Sequence, residues 1–267
     1  MKKIFQYSFF LSKRILNYFF FDNILNNRNL KNINTICKGN EILIFILHCE
    51  KYKDRVSYIK EYYSKFISVD FVFYSDYEDI GNNVLKVSYS SDYSSNEIKH
   101  INILNLIKDS GIYEKYKLIF FVDDDTFINM NKFVSICTKF QNEINDKYWM
   151  CGQMLCKENN NDNPVFKKHP RLQYLSGGAG YLMKSNLFNY IPKFKMHFTN
   201  YADFTLGLNL LNYSNIKLHD SKMFHSQKYE YYNINRADLK EYVTFHYVKS
   251  KEDFEFYRNC CTISSIY

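Results

Sequence analysis

Three consecutive aspartates follow an apolar segment near the middle of the chain. The segment Lys117–Val122 has the length and composition of a buried strand, and Asp123, Asp124 and Asp125 come directly after it. Strand ends of this kind are where α/β proteins bind their ligands. Because three adjacent negative charges repel one another and resist burial, a divalent cation is the simplest countercharge. The triplet predicts a metal site, and the alternative is a helix cap or a solvated turn.

Strand-like and helix-like segments alternate on both sides of the triplet. Before it, helical spacing predicts a helix over Glu50–Lys65 and another that ends near Gly111, and apolar runs predict strands over Ile42–Leu47, Val69–Tyr74, Val84–Tyr89 and Lys117–Val122. After it, we expect a strand over Tyr148–Leu155 and helices over Phe133–Ile144 and Asp203–Leu211. This alternation favours right-handed crossovers and therefore an α/β fold with a mainly parallel sheet flanked by helices.

The length of 267 residues, with 46% hydrophobic content and no flexible linker in its middle, predicts a single domain over residues 41–267. Residues 1–40 form a basic, aromatic segment that precedes it. Lys13 and Arg14 interrupt its apolar part, and each costs about 2.5 to 3.5 kcal/mol at the centre of a membrane-spanning helix. We therefore expect either a helix on a membrane surface or a helix packed on the domain.

The charge and cysteine content exclude several classes of protein. The 35 basic and 28 acidic residues give a net charge of +7, which is dispersed and suits a nucleotide diphosphate or an anionic surface better than nucleic acid. The seven cysteines include no C-x-x-C pair, which argues against a structural zinc site. Buried thiols and one or two disulfides both stay open, and the sequon at Asn212 is compatible with an oxidising compartment.

Three further motifs carry candidate functional residues. Gly177, Gly178 and Gly180 fall within four residues, which indicates either a close approach to the backbone or a tight turn. Asp203 opens a predicted helix, where a carboxylate can serve as a base or merely as a cap. His225, beside Met223 and Phe224, is either a metal ligand or a packed imidazole.

The order of these motifs resembles that of the fringe-type β1,3-glycosyltransferases and the related core-1 β1,3-galactosyltransferases. The order is Phe-Val-Asp-Asp-Asp, then Ser-Gly-Gly-Ala-Gly-Tyr, then Asp-Phe-Thr-Leu-Gly, then Met-Phe-His-Ser, and the resemblance runs from about Glu41 to the last of these blocks. It implies a GT-A nucleotide-sugar transferase fold. It also implies a UDP-sugar donor, a glycan or glycoprotein acceptor, manganese or another divalent cation, and residence at a Golgi-type membrane of the secretory pathway.

The resemblance assigns a role to each candidate residue. Asp125 and His225 would bind the metal, Asp203 would be the catalytic base, and the donor would be bound by Arg55, Asp123, Asp124, Gly177 and Gly178. One position departs from the fringe pattern, because Ala202 stands where an acid usually precedes the catalytic carboxylate.

The implied chemistry is an inverting transfer of GlcNAc or galactose to a sugar hydroxyl, with β1,3 linkage. A divalent cation neutralises the charge that develops on the leaving diphosphate. An unperturbed aspartate, with a pKa of about 3.9, is already ionised near neutrality and can take the acceptor's proton. The alternatives are a transferase-like module that only binds glycan or nucleotide, and a two-metal phosphoryl-transfer enzyme or nuclease, which would need further carboxylates near the triplet.

Overall fold

The computed structural model describes residues 24–156, 167–169 and 172–262. The predicted basic segment lies mostly outside these ranges, and so does the membrane-surface helix expected at the N-terminus. Within the described ranges, no helix combines the length and the apolar character that crossing a bilayer requires.

A seven-stranded sheet forms the centre of the molecule. Its strands are β1 (Ile42–Leu47), β2 (Val69–Ser75), β3 (Val84–Lys86), β4 (Leu118–Asp123), β6 (Tyr148–Gly152), β9 (Tyr181–Lys184) and β10 (Ile216–Asp220), in the spatial order β10-β6-β9-β4-β1-β2-β3. Only β9 runs antiparallel to both of its neighbours. The predicted α/β fold with a mainly parallel sheet is confirmed, and the carboxyl ends of β1 and β4 lie side by side at one edge.

Two small sheets lie beside the central one. The first contains β11 (Phe224–His225), β12 (Thr244–Phe245) and β5 (Phe127–Ile128), in that order. The second pairs β7 (Met154–Cys156) with β8 (Gln173–Leu175). The single strand predicted over Tyr148–Leu155 is wrong in its extent, because it divides at Gly152 into β6 and β7, which belong to different sheets.

Helices cover both faces of the central sheet. They are α1 (Ile24–Ile36), α2 (Asp54–Tyr63), α3 (Asn96–Ser110), α4 (Met130–Glu143), α5 (Leu187–Tyr190), α6 (Ala202–Leu210) and α7 (Lys251–Thr262). Successive residues of β1 face opposite layers. Leu43 and Phe45 pack in the core that contains α1 and α3, whereas Ile42 and Ile44 pack in the core that contains α2, α4 and α7. Helix α3 ends at Ser110, which confirms the end predicted near Gly111, and Gly111 caps it with a left-handed φ of 65° that favours glycine.

Candidate active site

The aspartate triplet lies at the carboxyl end of β4, as the sequence predicts, but its members face different surroundings. Asp123 is the last residue of β4, and Asp124 continues the pairing by donating its N–H to the carbonyl of Leu47 at 3.0 Å. Asp124 is buried, whereas Asp123 and Asp125 are partly exposed. Asp123 and Asp125 form a group with His246 in which one potential ligand atom from each residue lies within 4.8 Å of the others.

The imidazole of His246 is fixed at both nitrogens. Its Nδ1 lies 3.2 Å from the carbonyl oxygen of Ser226, which can only accept a hydrogen bond, so Nδ1 carries the proton. Its Nε2 lies 2.9 Å from Asp125 Oδ1 and 3.9 Å from Asp123 Oδ2. The contact with Asp125 is a hydrogen bond when Nε2 carries the second proton of the imidazolium. Loss of that proton leaves a lone pair on Nε2 that faces two carboxylates, which is the arrangement that a histidine ligand adopts at a metal site.

The same contacts shift the pKa values of all three groups. Partial burial raises the pKa of Asp123 to about 7; the charge of His246 opposes this rise, and the carboxylates of Asp125, Asp124 and Asp203 add to it. Burial opposes ionisation of Asp125 as well, but the hydrogen bond and charge of His246 bring its pKa below the ordinary value. Burial disfavours the charged form of His246, yet its hydrogen bond to Asp125 and the nearby carboxylates raise its pKa.

Asp124 is held in a buried hydrogen-bonded cluster on the other side of the triplet. Its Oδ1 accepts from Arg55 Nη1 and its Oδ2 contacts His48 Nδ1, each at 2.5 Å. The guanidinium of Arg55 also stacks over the ring of Tyr52, 4.2 Å from its centroid, and the second nitrogen of His48 reaches the hydroxyl of Tyr77. Arg55 and Asp124, both predicted to touch the donor, thus contact each other. Their roles in donor binding stay predictions.

The glycine-rich turn after β8 is packed against the site. A Cβ placed on Gly178 would lie 2.3 Å from His246 Nδ1, so any side chain there would displace the imidazole. Gly180 has a left-handed φ of 76°, and a Cβ there would lie 2.3 Å from the ring of Phe120. At Gly177 the added Cβ would make only an ordinary contact, 3.5 Å from Asp203 Cβ. The close approach that the sequence indicates is thus an approach of the backbone to His246 and Phe120.

Asp203 lies in the first turn of α6, and its side chain faces the glycine-rich turn that contains Gly177. Its Oδ2 accepts from the N–H of Gly177 at 3.1 Å, and its Oδ1 accepts from the N–H of Phe204 at 2.8 Å. Because a carboxylate oxygen can accept more than one hydrogen bond, these two contacts do not by themselves prevent the group from accepting a proton. Its predicted role as a catalytic base stays a prediction.

A cleft of about 240 Å³ connects these features. Its lining includes Asp123, His246 and Asp203, together with Gly177 and Gly178. Residues from eight separate parts of the sequence therefore meet around one solvent-accessible space, which includes Leu47 and Asp123 at the carboxyl ends of β1 and β4. Tyr93, Tyr201 and Tyr247 add aromatic surface to it. Clefts with a few convergent polar groups among aromatic side chains are typical of small-molecule sites.

His225, the histidine predicted to bind metal, does not belong to the group of Asp123 and Asp125. Its side chain is buried in an aromatic cluster, with ring centroids 4.2 Å from Tyr232, 4.8 Å from Tyr242 and 5.2 Å from Phe245. Burial lowers its pKa to about 4. His246 is not among the residues predicted from the sequence; the repeat of the Phe224-His225 pattern at Phe245-His246 is the one sequence signal that points to it.

The residues of this group fit a hard divalent cation. Two carboxylate oxygens and one imidazole nitrogen suit magnesium or manganese and leave coordination positions for water or phosphate oxygens. The hydrogen bond from His246 Nδ1 to Ser226 supplies the outer-shell contact that orients a ligating histidine. The seven cysteines are all unpaired thiols and contribute nothing to this site.

Two comparisons with known proteins found a match for this chain. The sequence profile described as Fringe-like matches residues 37–262. Among solved structures, the chain is similar to a glycosyltransferase involved in the glycosylation of the major capsid of PBCV-1, with 13% identity and a TM-score of 0.45 over 82% of this chain and 98% of that one. No match was found among curated proteins. Because the profile spans most of its length, the chain belongs to the Fringe-like family of glycosyltransferases.

Proposed function

We propose that this chain is a manganese-dependent, inverting glycosyltransferase. It moves GlcNAc or galactose from a UDP-sugar to a sugar hydroxyl of a glycan or glycoprotein and forms a β1,3 linkage. The observation that carries this proposal is that Asp203 lines the same cleft as Asp123 and His246. A group that can take a proton thus faces the same space as a group that can hold a cation.

In this proposal Asp123, Asp125 and His246 would hold the cation, and a bound cation would neutralise the charge on the leaving diphosphate. Asp123, which the resemblance assigns to the donor, would thus be a metal ligand instead. His246 takes the role that the resemblance implies for His225, because its Nε2 is the imidazole nitrogen that faces the two carboxylates. Asp203 accepts the proton of the acceptor hydroxyl while the oxygen of that hydroxyl attacks the anomeric carbon of the donor sugar. The attack comes from the face opposite the diphosphate, whose bond to the sugar breaks, so the anomeric centre inverts. The hydrogen bonds from Gly177 and Phe204 keep this carboxylate in a fixed orientation.

The test is a screen for UDP release. Purified protein is incubated with UDP-GlcNAc, UDP-galactose and other UDP-sugars, with and without Mn²⁺ and with simple sugar acceptors. We expect metal-dependent release with one preferred donor and a product of inverted configuration. Asp203→Asn should lower kcat by roughly 10² to 10⁴ and leave UDP affinity nearly unchanged, whereas Asp238→Asn, at an exposed aspartate remote in sequence, should change neither.

Two results would count against the proposal. Equal loss of UDP binding and turnover in Asp203→Asn would remove the assigned role of that residue. Binding of UDP by the wild-type protein with no product from any donor would favour the alternative, a transferase-like module that only binds glycan or nucleotide.

We also propose that the enzyme works at a membrane of the secretory pathway, as the family resemblance implies. Asn212, in the sequon Asn-Tyr-Ser, is exposed directly after α6 and could accept a glycan there. A glycan on Asn212 in protein isolated from its native cells would support this location, and an unmodified Asn212 together with cytoplasmic fractionation would oppose it.

A further inference from the structure

Glu97 is a fully buried carboxylate that lies outside the cleft lining described above. It lies in the first turn of α3 and is excluded from solvent. Its Oε1 accepts from the N–H of His197 at 3.0 Å and from Thr205 Oγ1 at 2.8 Å. Its Oε2 accepts from the N–H of Asn200 at 2.9 Å. These three donors come from one short segment of the chain, the loop before α6 and the first turn of that helix.

This segment carries the proposed catalytic base. Asp203 lies between Asn200 and Thr205, so Glu97 anchors the chain on both sides of it. The loop has no regular secondary structure, and two of its residues, Phe198 and Asn200, adopt left-handed φ values of 57° and 69°. Non-glycine residues seldom adopt this conformation, and surrounding contacts must hold them in it. Two hydrogen bonds from backbone N–H groups at positions 197 and 200 to a buried carboxylate provide such contacts.

We propose that Glu97 is a positioning residue for Asp203. By accepting hydrogen bonds from His197, Asn200 and Thr205, it fixes the loop and the first turn of α6, and thereby the place of the Asp203 carboxylate in the cleft. The proposal rests on the proposed function only for its effect on turnover. Its structural part, that Glu97 holds this loop, can be measured without any activity.

The first test compares two buried carboxylates with similar contacts. Glu97→Gln replaces one accepting oxygen with an NH₂ group. At least one of the groups that donate to Glu97, from His197, Asn200 or Thr205, would then face another donor. Asp70→Asn is the matched control. Asp70 is also buried and accepts from the N–H groups of Lys38 and Gly39, but it lies near the start of β2, at the end of the sheet opposite the cleft.

Hydrogen exchange decides whether Glu97 holds the loop. We expect Glu97→Gln to accelerate exchange of the amides of His197 and Asn200, and Asp70→Asn to accelerate exchange at residues 38–40 instead. Unchanged exchange at residues 197–205 in Glu97→Gln would overturn the proposal, whether or not the wild-type protein transfers sugar.

Steady-state kinetics decides whether this positioning serves turnover. A shift of about 1 Å in a reacting group can cost about 100-fold in rate, so we expect Glu97→Gln to lower kcat by roughly 10-fold to 100-fold. Affinities for Mn²⁺ and UDP should stay unchanged, because the groups that bind them are elsewhere. Asp70→Asn should lower the melting temperature without lowering the kcat of the folded protein. A kcat equal to wild type in Glu97→Gln would overturn the catalytic part.

Thr205 provides a milder pair of variants if Glu97→Gln fails to fold. Thr205→Val removes the hydroxyl that donates to Glu97 and keeps the shape of the side chain, whereas Thr205→Ser keeps the hydroxyl. We expect a lower kcat in Thr205→Val and recovery in Thr205→Ser, and equal kcat values in the two would contradict the proposal. An inactive wild-type protein with the expected exchange pattern would refute the proposed function and support the role of Glu97 in holding the loop.

Discussion

Each of two neighbouring strands, β11 and β12, carries a Phe-His dipeptide at its end. The first histidine is packed among aromatic rings, whereas the second faces carboxylates. Strand β11 contains Phe224-His225, and β12 ends at Phe245, directly before His246. The strands are parallel, and His225 pairs with Phe245, so these two side chains share a face and stack. His246 comes one residue later and points to the other side, toward Asp125. Strand register, and not residue type, decides which histidine can serve as a ligand.

The largest effect is expected from His246→Ala. Loss of an outer-shell partner of a metal ligand typically costs 10-fold to 100-fold in metal affinity, so loss of the ligand itself should cost more than about 100-fold. Calorimetric titration with Mn²⁺ measures this directly, and UDP release should fall with it. Wild-type Mn²⁺ affinity in His246→Ala would show that the cation is held elsewhere.

A somewhat smaller effect is expected from Gly178→Ala, because the new methyl group would collide with the imidazole of His246. We expect Mn²⁺ affinity to fall about 10-fold to 100-fold, as for other disturbances of a ligand's orientation. Gly177→Ala is the control, since its methyl group would make only an ordinary contact with Asp203. If both variants bind Mn²⁺ equally well, the glycine does not serve to make room for His246.

The pH dependence of metal binding separates the two histidines without mutation. Protons compete with the cation for Asp123, whose pKa is raised to about 7, and for His246, whose pKa is also raised. Affinity for Mn²⁺ should therefore be highest above pH 7 and fall as the pH decreases, by up to about tenfold per unit for each proton displaced. His225 is neutral over this range, because burial lowers its pKa to about 4. An affinity independent of pH between 6 and 8 would contradict the assignment.

The smallest effect is expected from His225→Phe. Within the part of the chain that the structure describes, Nε2 of His225 has no hydrogen-bond partner, and aromatic rings surround the imidazole. Phenylalanine removes a buried polar atom that costs about 1 to 3 kcal/mol when unsatisfied. We expect the same Mn²⁺ affinity as wild type and an equal or higher melting temperature. A large loss of metal binding would restore His225 as the candidate ligand.

Most of the central sheet could be predicted from the sequence, because its strands are continuous apolar runs of ordinary length. The short strands could not, since two-residue elements such as β5, β11 and β12 have too few residues to show a period. Strand β9 was missed as well: it follows the glycine-rich turn directly and runs antiparallel within an otherwise parallel sheet.

The residues of the candidate site likewise include some that the sequence predicts and others that only the folded structure identifies. The carboxylates of the triplet and Asp203 are marked by local sequence, at a strand end and a helix start. The histidine is not, because only the pairing of β11 with β12 distinguishes His246 from His225, and pairing is a property of the folded chain. The contact between Gly178 and His246, and the anchoring of the loop by Glu97, likewise join residues that are far apart in sequence.

The cluster around Asp124 has a consequence for mutational surveys of this protein. Replacement of Asp124 would leave the buried guanidinium of Arg55 without its carboxylate, a loss that typically costs about 3 to 5 kcal/mol. Variants at the middle aspartate would then score as inactive because little folded enzyme accumulates, whereas variants at the two flanking aspartates would score as inactive while remaining abundant. A screen that records activity alone would merge these two causes, and one that also counts soluble protein would separate them.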